Sequence, residues 1–123
     1  MLKPINVEAY RDLPQLHFDE YQMLASDTAK YGEGNDIIYP VLGLTNEAGE
    51  VAGKVKKVLR DNDGFFTNEY VKAIKAELGD TLWYLAMVAK DLKLSLNEIA
   101  HENLEKLSDR KQRGVIGGDG DNR

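Results

Sequence analysis

The chain has 123 residues, 42% of them hydrophobic and 30% charged, the size and balance of one globular domain. It contains no cysteine, which excludes a disulfide framework and a thiolate metal site. The 16 basic and 21 acidic residues give a formal charge of −5 with no basic run, so a nucleic-acid polymer is not an expected partner. No apolar run approaches the roughly 18 residues of a membrane span and no basic-then-apolar leader is present, so a cytoplasmic location away from membranes is expected.

Apolar residues recur at helical spacing in four segments. The first covers about 18–31, with Phe18, Tyr21, Leu24, Ala25 and Thr28 on one side, and the glycines of 32–36 end it. The second begins near Pro40, whose missing N–H has no partner in a first turn, and carries Val41, Leu44, Ala48, Val51, Val55 and Val58 as a stripe. After a turn at 61–64, Thr67 is placed to cap a third helix reaching about 92, with Val71, Ile74, Leu78, Leu82, Leu85 and Ala89 on its stripe. Ser95 and Glu98 have capping-box spacing for a fourth helix bearing Leu96, Ile99, Ala100, Asn103, Leu104 and Leu107.

The expected fold is all-α: one domain over 1–113, an antiparallel bundle of about four helices after an irregular N-terminal segment, then a Gly-rich tail over 114–123. Residues 82–89 are apolar nearly all the way round, so their helix needs cover on more than one side. A second copy of the chain is the expected second cover.

Two acidic pairs carry the chemical argument. Glu47 and Glu50 sit three apart on the second helix, as Glu77 and Asp80 do on the third, and residues three apart share a helix face. If those helices pack antiparallel, four carboxylates can meet, and hard cations such as Mg²⁺ require oxygen ligands. Spacing does not single them out, since Glu33/Asp36 and Glu102/Glu105 share it. Gly49 and Gly79 do: each precedes the second acid of its pair, and a glycine inside a helix costs about 1 kcal/mol relative to alanine. Its missing side chain lets a neighbouring helix or a substrate approach. The helical wheel also puts these acids on the rim of the apolar stripes, with Tyr84 between Glu77 and Asp80. Clustered carboxylates repel one another, and a cation relieves that repulsion.

On the fourth helix Asn103, Lys106 and Arg110 follow one rim of the apolar face, where they can reach phosphate or form a solvated basic edge. Glu98-x-x-His101 matches one element of a di-iron bundle, but such a site needs two, and these side chains point away from the stripe. His17 has no assigned role. Glycines in the tail expose N–H groups that can approach phosphate, with Arg123 adding charge; equally, such termini are commonly disordered. There is no P-loop motif.

Three segments, GLTNEAGEVAGKVKK (43–57), ELGDTLWYLA (77–86) and NLEKLSDR (103–110), resemble the MazG-like branch of the all-α nucleoside-triphosphate pyrophosphohydrolases. The match is Glu-x-x-Glu, then Glu-x-x-Asp after 26 intervening residues, then Asn-x-x-Lys. The resemblance implies a homodimer or homotetramer that cleaves between the α and β phosphates of a nucleoside triphosphate, releasing a monophosphate and pyrophosphate. It implies Glu47, Glu50, Glu77 and Asp80 as ligands of Mg²⁺, which Mn²⁺ can replace, with one of them orienting or deprotonating the attacking water. Asn103 and Lys106 carry over as substrate contacts, followed by Arg110 and Tyr84; Lys54, between Glu47 and Glu50 on the wheel, is a further phosphate candidate. Base contacts stay open on the first helix, where Phe18, Tyr21 and Gln22 lie. The alternative is a helical dimer that binds nucleotides or a protein without catalysis.

Overall fold

The computed structural model describes residues 13–123, so most of the irregular segment expected at the N-terminus lies outside them. Four helices follow in order, α1 (Phe18–Ser26), α2 (Ile38–Asp61), α3 (Asn68–Asp91) and α4 (Leu96–Gln112), with no strand among the described residues. The fold is all-α, as the apolar periodicity predicts.

Sequence signals set most of the helix ends. The Thr67 side chain accepts the Tyr70 N–H at 3.3 Å and Ser95 accepts that of Glu98 at 3.1 Å, each relieving an orphan donor of a first turn. Pro40 lies in the first turn of α2, two residues inside its start. α1 is shorter than its periodicity suggests. It stops at Ser26 because the Thr28 hydroxyl turns back to the Ala25 carbonyl at 2.7 Å, offering the backbone an alternative to another helical turn.

α2 and α3 have 24 residues each, about 36 Å of helix, and form an antiparallel hairpin. The register is visible in its pairings: Gly43 meets Tyr84, Glu47 meets Asp80, Lys54 meets Glu77, and Val55 shares a groove with Val71 and Ile74. As numbers rise on one helix they fall on the other. This register carries the site.

α1 packs across α3 near its C-terminal end. Ala25, Ala86, Met87 and Leu96 form the buried cluster, with Tyr21, Ala29 and Trp83 against it. Met87 is completely buried, so the second cover for this part of the all-round apolar stretch comes, within the chain, from α1 and the start of α4. Buried Gln22 ties the three elements together. Its amide donates to the Leu94 carbonyl at 2.9 Å and the Ala86 carbonyl at 3.4 Å, while its oxygen accepts the Leu96 N–H at 3.1 Å. A side chain satisfied in this way is structural, not a base contact.

α4 is the helix with least cover within the chain. It touches α1 and, sparsely, α3, but not α2. Every residue from His101 to Asp109 is exposed, including Leu104 and Leu107 of the stripe expected to face a core. Its root is held by polar contacts from α1: Asp19 accepts the Asn97 N–H at 3.0 Å and the Ser95 hydroxyl at 2.9 Å. The rest projects away. No helix among the described residues is long and apolar enough to cross a membrane.

Candidate active site

The hairpin register brings carboxylates from two helices to one place. Oxygens of Glu47, Glu77 and Asp80 all lie within 4.8 Å of one another, comparable to the separation of about 4 Å between ligands on opposite sides of a Mg²⁺ ion. Glu50, the fourth acid of the pattern, stands outside this trio and is exposed, though its charge acts on both Glu47 and Lys54. Three of the four acids converge, and the fourth sits at the rim.

The trio carries an electrostatic imbalance. Desolvation, then the charges of Asp80 and Glu77, hold the Glu47 carboxyl above its ordinary range. Lys54 answers part of that charge from one turn beyond Glu50, with its Nζ 3.0 Å from Glu77. The three carboxylates offer hard oxygen donors of the kind that could hold a metal ion.

Beside the acids opens a cleft of about 410 Å³ lined by Thr28, Glu47, Asp80, Trp83 and Tyr84. Tyr84 thus lines the acid cleft, as its wheel position suggests. Its ring lies edge-on to Trp83 at 5.0 Å and tilted against Tyr39 at 6.3 Å, and Tyr39 stacks on Tyr31 at 5.1 Å. Gly43 explains how Tyr84 crosses α2: a Cβ there would collide with the Tyr84 ring. Sequence reasoning missed this glycine, although it lies one turn before Glu47 on the face turned to α3. The acidic pairs single out Gly49 and Gly79 instead, where an added Cβ meets nothing within 4 Å among the described residues. Those two leave open surface beside the acids, and no contact among the described residues requires either.

Thr28 and Trp83 are also site neighbours not foreseen. The Trp83 indole N–H donates to the Thr28 hydroxyl at 2.9 Å, closing one end of the cleft. The usable signal was a tryptophan amid apolar residues, whose N–H must find a partner. Tyr21 lies close enough for Asp80 to act on it, and burial followed by that charge raises its phenol pKa. Phe18 is exposed on α1.

The basic residues of α4 do not join the acids within this chain. Asn103 and Lys106 line a separate cleft of about 430 Å³ with Ile99 and Glu102. Arg110 is buried rather than lying open on a rim, because the tail folds back over it. Glu98 and His101 are exposed, consistent with a surface role rather than a di-iron element. His17 precedes α1, and its backbone N–H donates to Glu20 at 3.4 Å.

Residues 40–115 match the MazG nucleotide pyrophosphohydrolase domain, which is more than half of the chain and includes both acidic pairs. The chain belongs to this family. It is also similar to the Gene 37 protein of Mycobacterium phage L5, with 49% identity over 114 residues that cover 88% of this chain and all of that relative. No solved structure matches it. In this MazG-family chain the matched region starts at the first turn of α2 and ends just beyond α4, leaving α1 outside it.

Proposed function

We propose that the protein is a Mg²⁺-dependent nucleoside-triphosphate pyrophosphohydrolase, converting a ribo- or deoxyribonucleoside triphosphate and water to the monophosphate and pyrophosphate in control of nucleotide pools. The observation that carries the reading is the convergence of Glu47, Glu77 and Asp80 across the α2–α3 hairpin, in a chain of this family. Those three would hold the ion, which when bound neutralises phosphate charge and lowers the pKa of water. Glu50, outside the trio but within its field, is the acid available to orient the attacking water and accept its proton. Tyr84 and Trp83 wall the cleft where a nucleoside can lie, and Lys54 can exchange Glu77 for a phosphate oxygen.

Self-association belongs to the same proposal. Val55, Phe66, Val71, Ile74 and Leu78 line an apolar groove of about 370 Å³ on the hairpin, and Leu42 and Leu78 are 66% and 54% exposed. Apolar surface on this scale favours cover by another copy, as a homodimer or homotetramer. A second copy also offers a route for Asn103 and Lys106 to meet an acid cleft that they do not reach in their own chain.

A panel of common and deoxy triphosphates, assayed with and without Mg²⁺ by a method separating pyrophosphate from orthophosphate, tests the reading. The expected product is pyrophosphate, only with metal, from at least one triphosphate, and Glu50→Gln should abolish its release while the helical spectrum stays intact. No turnover across the panel, or full activity in Glu50→Gln, would overturn it. Calorimetric binding of a triphosphate without product would instead mark a non-catalytic binding protein.

A further inference from the structure

Lys106 and Arg110 on α4 are already engaged by the chain itself. Arg110 donates to the Asp121 backbone carbonyl at 2.9 Å and to its carboxylate at 3.0 Å, and Lys106 reaches the same carboxylate oxygen at 3.2 Å. The tail arrives there through a closed turn. Gly114, at φ +71°, ends α4 with the Val115 N–H bonded back to the Arg110 carbonyl at 2.9 Å, a Schellman stop. Arg113 holds the backbone oxygen of Arg123 at 2.7 Å, and the Arg123 guanidinium donates to the carbonyls of Gly120 and Ile116. Together these bonds fold the tail into a hook.

Burial within the hook is lopsided. The Arg110 side chain is 6% exposed, whereas that of Asp121 is 79% exposed. An anion arriving from solvent therefore meets Asp121 first and cannot reach Arg110 while the hook is shut.

The geometry points to an anion site on α4, formed by Lys106 and Arg110 and occupied by the chain's own Asp121, which an incoming polyphosphate takes over by lifting the tail. The site rests on these contacts alone; its role as an autoinhibitory latch on substrate rests on the proposed triphosphate reading. Guanidinium and ammonium groups make their strongest hydrogen bonds to carboxylates and phosphates, so the two anions compete for the same donors. A polyphosphate brings several charges against one. Hydrogen bonds from Arg110 and Lys106 keep the Asp121 carboxyl below its ordinary range, so it is ionised at neutral pH and the latch is closed in the absence of a competitor.

Calorimetry with inorganic tripolyphosphate tests this on the full chain, in chelator so that the acid cleft cannot recruit the probe through a metal. Asp121→Asn should tighten binding about fivefold, the order expected for one surface charge removed a few ångströms from an anion. Adding Lys106→Met to that variant should remove the gain. Asp119→Asn makes the same change in net charge, but among the described residues Asp119 accepts the N–H of Gly120 at 2.8 Å and pairs with neither cation, so it should give a much smaller effect. Unchanged or weaker binding in Asp121→Asn, which would make Asp121 a positioning residue, overturns the latch. So does an equal gain in Asp119→Asn. Hydrogen exchange of the wild-type protein needs no variant: amides of 115–123 should exchange faster with saturating tripolyphosphate, and unchanged or slower exchange overturns the proposal. If these tests fail while pyrophosphate is still released from a triphosphate, the latch falls and the hydrolase stands. If they succeed without any such release, the anion site stands and the hydrolase reading falls.

Discussion

The acid cleft and the basic edge of α4 manage charge in opposite ways. In the cleft, three carboxylates are brought within 4.8 Å of one another by the register of two long helices, with Lys54 as a partial counter-ion. On α4, which no second helix among the described residues covers beyond its root, Lys106 and Arg110 are neutralised by the folded-back tail of the same chain. Like charges kept together by two helices repel one another, and under the proposed function a bound cation would relieve what Lys54 leaves unbalanced. Opposite charges paired by a tail leave nothing unrelieved. They are a weaker sign of a ligand, and one that depends on whether the pair can be exchanged.

The contrast is broken most sharply by activity. Glu77→Gln removes one oxygen ligand from the trio and the partner of Lys54, and should lower metal-dependent pyrophosphate release by more than about a hundredfold, the upper end of what disturbing an outer-shell partner costs. The same assay on Lys106→Met should show a rise in KM with kcat little changed, since binding common to ground and transition states is what a peripheral phosphate contact supplies. Equal kcat losses in the two variants would erase the distinction between cleft and edge.

Two glycines of α2 sharpen it further. Gly43→Ala forces a Cβ into the Tyr84 ring, and overpacking of that kind should cost about 1–3 kcal/mol in chemical denaturation. Gly49→Ala meets nothing within 4 Å, so in a single chain it should be neutral or stabilising by up to about 1 kcal/mol, the ordinary gain from removing a helical glycine. A Gly49→Ala variant that instead loses activity or self-association would identify that open surface as the approach of a substrate or second copy.

How much of this was legible beforehand follows the same division. The α2–α3 hairpin and its converging acids could be read because two periods, 3.6 residues per turn and three between acids, fix direction once the helices are antiparallel. The position of Glu50 outside the trio could not, since a rim angle on a wheel does not say how far a neighbouring helix lies. Periodicity also gives α4 a stripe without saying what covers it: Leu104 and Leu107 lie on that stripe and are exposed among the described residues. The buried role of Gln22 and the hook around Asp121 come from contacts between residues 64–74 and 11–15 positions apart, in loops and helix ends, and no repeating pattern announces such pairings. Legibility ended where regular structure did.

The root of α4 offers the next test. Ser95→Ala removes an N-cap oxygen from the Glu98 N–H, and such a loss typically costs about 1 kcal/mol. Because α4 is attached chiefly at this end, the loss should appear as faster hydrogen exchange along α4 while α2 and α3 keep their protection. A uniform loss across all helices would show that α4 unfolds only with the whole molecule.

The smallest expected effect concerns acid. Hydrogen bonds from the Asn97 N–H, then the Ser95 hydroxyl, hold the Asp19 carboxyl below its ordinary range against the opposing effect of desolvation. A depressed carboxyl stabilises the folded state fully above its unfolded pKa, about 3.9, and the contribution is lost as pH falls through the lower folded value. The attachment of α4 to α1 should therefore weaken only below about pH 4. Asp19→Asn should lower the neutral-pH melting temperature slightly and flatten that acid limb, so wild type and variant converge at low pH. A constant gap between the two curves at every pH would mean that Asp19 contributes by shape and neutral hydrogen bonding, with its charge at the root of α4 of no consequence.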